Sequence, residues 1–346
     1  MLQYGQIIGK KEDWSNVITN VEMFSTPVLS WLPIGEDFND PIQFYQAEKF
    51  ADPVRNIHID GKPVTDFIAA GQDRGELSAF MQYSSKAAAI TKVHQELGNI
   101  AGIPNSKTAS GGELGREMVK KLKELSRDIE TNILSNFGEQ KDNTNVGWAT
   151  RAIPVWVQTG TTNQLTGFET PVQFRPPSAS IDTTATASMS EDIVLNILQS
   201  IGGVTRDKGV VTAICAPTAK RLFNNMPMFL PIGVLAGTSN LNAGANPNPL
   251  RGQTYDRVIE RYNSDFGPVD LMLSWWNHYL DTTQVATMLT HSVYFLHRDM
   301  WEFNWKLRPD WVLKAPQGGG YEAFCETFWR IRCLNPKGEG AWKPQT

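Results

Sequence analysis

The chain has 346 residues, 41% hydrophobic and 20% charged, with a formal net charge of -4 and a pI near 5.8. That is enough apolar material for two compact domains or one large elaborated one, and too much for a chain disordered by composition. No strongly basic block marks a nucleic-acid grip, no apolar run approaches the roughly 18 residues a membrane helix needs, and Met1–Lys11 lacks the basic-then-apolar pattern of a secretory signal.

In chain order, residues 10–32 predict two short helical stretches. Asp13 or Ser15 would cap the first, with Val17, Ile18, Val21, Met23 and Phe24 on its apolar side, and Pro27 suits the first position of a second helix at Val28–Leu32. From 34 to 98, Pro41, Pro53 and Pro63 break any long helix. QFYQAEKF (43–50) and VRNIHID (54–60) alternate as strands do, and IDGKP reads as a turn. AFMQYSSKAAAITKVHQELGNI (79–100) reads as the returning strand of a long excursion, although its alanine-rich centre suits a helix equally well by propensity.

After a loop-like stretch at 99–112 comes the clearest element, a helix over 111–137. Leu114, Met118, Leu122, Leu125, Ile129 and Ile133 fall at steps of three and four and make one apolar stripe, with Glu117–Lys121 and Lys120–Glu124 at i,i+4 on the charged face. Ser110 would cap it and Gly138 would stop it. At ~1.5 Å per residue it is a rod of about 40 Å, more than twice the usual length.

Residues 139–187 are Thr-, Gly- and Pro-rich around a strand-like AIPVWVQTG (152–160). A helix–strand–helix unit begins at Ser188. Ser188-x-x-Glu191 has the form of a capping box, GVVTAICAP (209–217) alternates as a buried strand, and PTAKRLFNNM starts a helix with Pro217 in its first turn. Residues 233–253 are Gly/Asn/Pro-rich and nearly uncharged, and a loop of that length is usually functional or mobile. YDRVIERYNSDFGPVDLMLSWW then predicts strand, turn and strand, and the last third is strand-rich. Trp301, Phe303 and Trp305 share one strand face and Glu302, Asn304 and Lys306 the other, while RPDWVLKAPQGGG reads as the turn between the last two strands. Of eleven tryptophans, those at 275, 276, 301, 305, 311, 329 and 342 crowd this end, a density that favours extensive subunit contacts.

No constellation of chemistry emerges. SGGELG lacks both the G-K-[ST] of a phosphate loop and the full G-x-G-x-x-G spacing, so it reads as helix entry. His58, His94, His278, His291 and His297 contain no H-E-x-x-H; His291 and His297, six apart, would share a strand face, with satisfied or solvated histidines the heavier reading than a metal pair. There is no G-x-S-x-G elbow. Glu36–Asp37 and Glu191–Asp192 are sequence neighbours that point apart, as solvated charges do. Lys49 or Lys62 with Asn335 are the residues for an isopeptide between subunits, but the spacing favours solvated or salt-bridged lysines. Cys215, Cys325 and Cys333 form no C-x-x-C pair and, being odd in number, no disulfide framework, so they read as buried free thiols. No catalytic, cofactor-binding or metal-ligating residue is nominated. A ribbon that is marginal alone in water, together with the tryptophans, points instead toward assembly.

The order of these elements resembles the HK97-like phage major capsid proteins, within them the SU10-like major head protein branch. The resemblance rests on Thr26-Pro27-Val28-Leu29-Ser30, on Lys123, Glu124, Leu125, Arg127, Asp128 and Glu130 of the long helix, and on Ala216-Pro217 before AKRLF. It rests also on SDFGPVDLML, FLHRDMWEFNWKLRP and CETFWRIRCLNPKG. It implies an α+β HK97-like capsid fold with an N-terminal arm (1–35), an extended E-loop β-ribbon reaching an adjacent subunit (36–98), and a peripheral domain (99–187) around a spine helix at 111–137. An axial domain (188–276) with its 233–253 loop near the capsomer axis would follow, then strands returning to the peripheral domain (277–346).

The resemblance further implies a major capsid protein of a tailed double-stranded DNA phage, no enzyme and without cofactors, self-assembling into hexamers and pentamers of an icosahedral-type head that encloses the genome. Its partners would be other copies of itself, portal, separate scaffolding and decoration proteins, and packaged DNA on the inner face, with no membrane. It would reside in the virion head after assembly in the host cytoplasm. The chain departs from the family in being rich in Trp and Pro and in a 227–255 insertion that matches no motif. The family match begins close to Met1, so no cleaved N-terminal scaffolding segment is expected. An encapsulin-type nanocompartment shell subunit, which shares the fold but holds enzymes, is the alternative. An α/β enzyme at 188–276 would need convergent polar groups in a pocket, which the sequence does not offer.

Overall fold

Proline has no N–H to lose in a first helical turn, so Thr26-Pro27 starts a helix where expected. This helix, α1, spans Pro27–Trp31 and ends at Leu32, whose N–H returns to the Val28 carbonyl. The computed structural model describes residues 25–50, 53, 55, 57–63, 74–97, 112–184, 189–206, 209–224, 260–281, 290–315 and 319–344. The helix expected before residue 25, the 99–111 part of the loop with Ser110, Ser188, and the 233–253 loop with its 227–255 surroundings lie outside them.

β1 (Ile42–Glu48) pairs antiparallel with β2 (Arg74–Phe80), from Ile42↔Phe80 to Glu48↔Arg74, as a two-stranded ribbon. The described residues of VRNIHID, expected as a strand, form none: β1 finds its partner further along the chain. The IDGKP turn is present, with Gly61 at φ 77 and the Lys62 N–H on the Ile59 carbonyl at 3.2 Å. The expected returning strand divides into the end of β2, then β3 (Gln82–Thr91), then a short helix α2 (Lys92–Leu97). Its alanine run stays extended because it lies in a sheet, where Ala88 is buried and Ala87 and Ala89 face water.

The long helix α3 spans Gly112–Ile133, 22 residues, shorter than expected. Leu114, Leu125, Ile129 and Ile133 of the predicted stripe are buried. Its charges pair at i,i+3, not i,i+4: Arg116–Glu113, Lys120–Glu117 and Lys121–Glu124. Gly138 does not stop it. The helix ends earlier, and Gly138 is needed because the Asn163 carbonyl oxygen occupies the place a Cβ would take.

AIPVWVQTG is not a strand. Ile153–Trp156 forms a helical turn, α4, with proline in its first turn and all four side chains buried, so no face is left for alternation. After β4 (Ile181–Asp182), helix α5 (Glu191–Thr205) begins at Ser190 without a side-chain cap, and the Glu191 carboxylate accepts the Tyr262 hydroxyl at 3.0 Å. β5 (Val211–Cys215) and α6 (Pro217–Asn224) follow as expected. β6 (Arg261–Ser264) and β7 (Gly267–Leu273) form the predicted hairpin.

β8 (Val293–His297), β9 (Trp301–Lys314), β10 (Gly320–Cys333) and β11 (Gly340–Trp342) complete the chain. RPDWVLK, expected as turn, continues β9. Its Pro309 is tolerated because the sheet order β3-β10-β9 leaves β9 on an edge.

The described residues fall into two units. One comprises 84–128 and 307–327, where Leu114 and Leu125 are buried with Ala88, Ala323 and Cys325, and Lys86 meets Asp128 at 2.5 Å. The other comprises 26–83, 129–306 and 328–346. It holds a mixed sheet in the order β4-β11-β8-β5-β7-β6, with β5 parallel to β7 and antiparallel to β8. Val194, Ile197 and Ile201 of α5 and Phe223 of α6 close its core against Val211, Val269 and Phe295. Each such side chain contributes roughly 1.5–3 kcal/mol by leaving water. Trp301, Trp329 and Trp342 sit in this chain's own interior, so the tryptophan density first of all builds core.

Two glycines give opposite expectations. Gly138→Ala drives a methyl into the Asn163 carbonyl and should destabilise the subunit by more than about 2 kcal/mol. Gly203→Ala, in α5 with open space around it, should stabilise by about 0.5–1 kcal/mol. Urea unfolding of the two variants checks both.

Candidate functional site

Four constellations of polar side chains organise the larger unit. The first is fully buried: Arg151 donates from Nε to Glu139 at 2.7 Å, from Nη1 to the Thr170 hydroxyl at 2.8 Å and from Nη2 to the Phe168 carbonyl at 2.7 Å. Its guanidinium lies 4.2 Å from the Trp156 ring, and Glu139 also accepts the Leu165 N–H at 3.0 Å. Residues 139–175, poor in regular structure, converge on this pair.

The second closes the end of α3. Asp281 accepts the Asn136 N–H at 2.9 and 2.8 Å and meets His278 Nδ1 at 2.6 Å, while His278 Nε2 meets the Tyr294 hydroxyl. The His278 N–H donates to the Leu134 carbonyl at 2.9 Å, with its backbone left-handed at φ 53. The order Asp–His–Tyr is that of a proton relay, but all three side chains are buried in the interior. Burial pushes the imidazole down from its ordinary value, against the Asp281 hydrogen bond, and pushes the Tyr294 hydroxyl up. The trio is a joint.

The third is a clasp. Glu130 of α3, 0% exposed, accepts the Val28 N–H at 3.0 Å and the Leu29 N–H at 2.7 Å. These are first-turn donors of α1, which no carbonyl of their own helix can serve. Burial pushes the Glu130 carboxyl up to about 7, partly opposed by those bonds from Leu29 and Val28. From α1, the Trp31 indole reaches the Thr212 hydroxyl at 3.1 Å, and the Trp31 carbonyl accepts Arg298 Nε at 2.9 Å. The base of the N-terminal region is thereby tied to α3, to β5 and to the turn after β8.

The fourth is the strap from Pro33 to the start of β1, which lies on Glu302, Asn304 and Lys306 of β9 and on Arg330 and Arg332 of β10.

A cleft of about 620 Å³ lies beside α1, lined by Trp31, Thr212, Asp270, Met272, Arg298 and Met300. Three of its charged groups are engaged: Arg261 holds Asp270 at 2.5 and 3.0 Å, and Arg298 is on Trp31. Among the described residues no group of three His, Cys, Asp or Glu is placed to hold a metal. His291 precedes β8 and His297 ends it beside buried Glu339, so the two do not share a strand face. Asp37 and Glu191 are not simply solvated: one pairs with Lys306, the other accepts from Tyr262. Lys62 stands exposed beside the Asp60–Gly61 turn, and Asn335 precedes the turn Pro336–Gly338. The three cysteines are buried free thiols.

The family model described as SU10 major capsid protein matches residues 2–324. No curated protein matches in sequence. Among solved structures, the chain is similar to the mature capsid subunit of bacteriophage PhiM1, with a TM-score of 0.57 and 10% identity over 97% of this chain and 92% of that one. It is similar to the capsid of a native GTA particle, with a TM-score of 0.57 and 8% identity over 99% and 98% of the two chains. It is also similar to the cyanophage Pam1 capsid subunit, with a TM-score of 0.54 and 10% identity over 100% and 98%. At these identities the likeness is one of fold.

Glu130 makes a pH prediction. Its folded value, about 7, lies above its ordinary 4.5, so its contribution to stability is full below 4.5 and is lost as pH rises through 7. Between pH 4.5 and 8 the unassembled subunit should lose up to about 3 kcal/mol from this group. Glu130→Gln, an uncharged stand-in for the protonated carboxyl, should flatten that slope. Urea unfolding across the pH range reads this, and parallel profiles for the two proteins would contradict it.

Proposed function

We propose a mode of shell building for this chain, which belongs to the SU10 major capsid protein family. It is a major capsid protein of tailed phages with an HK97-like fold, a structural subunit and not an enzyme. As such it associates with copies of itself into capsomers and belongs to the virion head. No helix of the described residues is long and apolar enough to cross a membrane.

Within that frame, residues 1–35 act as an arm lying over neighbours and 36–98 as the E-loop. Residues 99–187 form a peripheral domain around α3, 188–276 an axial domain with its 233–253 loop near the capsomer axis, and 277–346 the strands returning to the peripheral domain. One observation carries the reading. Past the last paired rung, Glu48↔Arg74, the ribbon presents Phe50 at 96% exposure, Ile57 at 66% and Ile59 at 64%. A two-stranded ribbon has no core in which to hide such side chains, and their covering by a neighbour is worth roughly 1.5–3 kcal/mol each. The clasp of Glu130 on α1 supports the arm by giving it a fixed root.

The finer partners follow as expectations: hexamers and pentamers in an icosahedral-type head, portal, separate scaffolding and decoration proteins, and double-stranded DNA on the inner face. Assembly would take place in the host cytoplasm. A mildly acidic subunit suits DNA already neutralised by its own counterions.

The test is electron microscopy of the expressed chain beside its Phe50→Asp variant. The parent should form closed particles carrying nucleic acid. Phe50→Asp should keep its fold and need a roughly tenfold higher concentration to assemble. A protein cargo in place of nucleic acid, or unimpaired assembly of the variant, would contradict the reading.

A further inference from the structure

The ribbon leaves the subunit body through residues 33–41, and these are held in two different ways. Up to Gly35 the strap is fixed by backbone: the Gly35 N–H donates to the Phe303 carbonyl and the Phe303 N–H to the Pro33 carbonyl, both at 2.9 Å. Gly35 lies flat there because a Cβ would land on the Glu302 carboxylate and the Asn304 amide. Past Gly35, side chains hold it. The Asn304 amide donates to the Glu36 carbonyl at 2.6 Å, and Lys306 reaches Asp37 at 3.2 Å and Asn39 at 2.9 Å. The other Asp37 oxygen accepts the Phe38 N–H at 2.8 Å.

Beneath this strap lies a buried cation whose donors are not all used. Arg330 is 1% exposed and stacks on Phe38, its guanidinium 4.3 Å from the ring, yet its Nε and Nη1 have no acceptor. On the neighbouring strand, Asn304 is 0% exposed and its Oδ1 has no donor. Its neighbour Arg332 takes Glu302 at 2.7 Å and Gln43 at 3.2 Å, so the nearby β9 carboxylate is already committed. Donors withdrawn from water with nothing to bond are costly, and folds normally supply them. The strap carries a carboxylate within electrostatic reach: Asp37 acts on Arg330, and Arg330 on Asp37. It is used instead on Lys306, in a pair whose side chains are 62% and 38% exposed and where such pairs contribute little.

We propose that residues 33–41 form a strap with two seats, in which Asp37 rests outward on Lys306 in the free subunit and moves inward to the unpaired donors of Arg330 when the ribbon docks on a neighbouring copy. The inference rests on the docking reading given above. The exchange replaces a solvated pair with a buried, charge-assisted one. Because β1 begins at Ile42, it also re-aims the ribbon at its root.

Two exposed substitutions in the full chain test this. Asp37→Asn and Lys306→Gln both abolish the outward pair, so a plain surface ion pair predicts the same small effect from each. The two-seat strap predicts opposite signs. Lys306→Gln releases Asp37 inward and lowers the concentration at which particles form several-fold. Asp37→Asn leaves Arg330 without a carboxylate and raises it several-fold. Shifts of the same sign, or none from either, overturn the strap. Phe50→Asp separates the two layers. If it assembles normally, the docking reading falls and the strap with it; if it blocks assembly while the strap variants move together, the strap alone falls.

Discussion

A charge taken out of water has to be met by directed partners, and the larger unit is arranged around places where this happens. Glu139 and Arg151 neutralise each other, and their remaining donors and acceptors reach Leu165, Phe168 and Thr170. Glu130, with no cation on it among the described residues, is met by two helix-start N–H groups. Asp281 is met by Asn136 and His278, and the Lys343 ammonium, which burial pushes down to about 7, by the carbonyls of Pro154 and Val157 at 2.8 and 2.6 Å. Removing one partner of such a pair typically costs about 3–5 kcal/mol.

Against that rigid frame the unsatisfied groups stand out. Among the described residues Arg330 is a buried cation with open donors, and it lies under the root of the ribbon. The ribbon's far end carries Phe50, the most exposed large apolar side chain among the described residues, with Ile57 and Ile59 also in water. The first lies on β10 beneath the ribbon's root, the second at the ribbon's tip.

Local signals were legible in the sequence and distant ones were not. Pro27, the apolar stripe of α3, Pro217 after a buried strand, and the NSDFG turn each state their structure within a few residues. What was misread depends on partners far along the chain. VRNIHID alternates, but β1 pairs with 74–80. AIPVW is β-branched and aromatic, but complete burial turns it into a helical turn. RPDWVLK carries a proline, which means turn unless the strand lies on an edge, and the edge is known only once β10 lies beside it. The clasp is the clearest case. Glu130 sits beside a stripe residue with Arg127 three positions before it, the ordinary pattern of a surface pair, while its partners lie 102 and 101 residues away.

The central claim is that the ribbon is the part of this capsid subunit left for a neighbour to complete. Hydrogen–deuterium exchange on the free subunit and on assembled particles tests it most directly. Amides of β5, buried on both faces, should be slow in both states. Those of the ribbon's outer rungs, Gln46–Glu48 with Arg74–Glu76, should exchange quickly in the free subunit and become strongly protected in the particle. A ribbon equally protected in both, or equally open in both, would contradict the account.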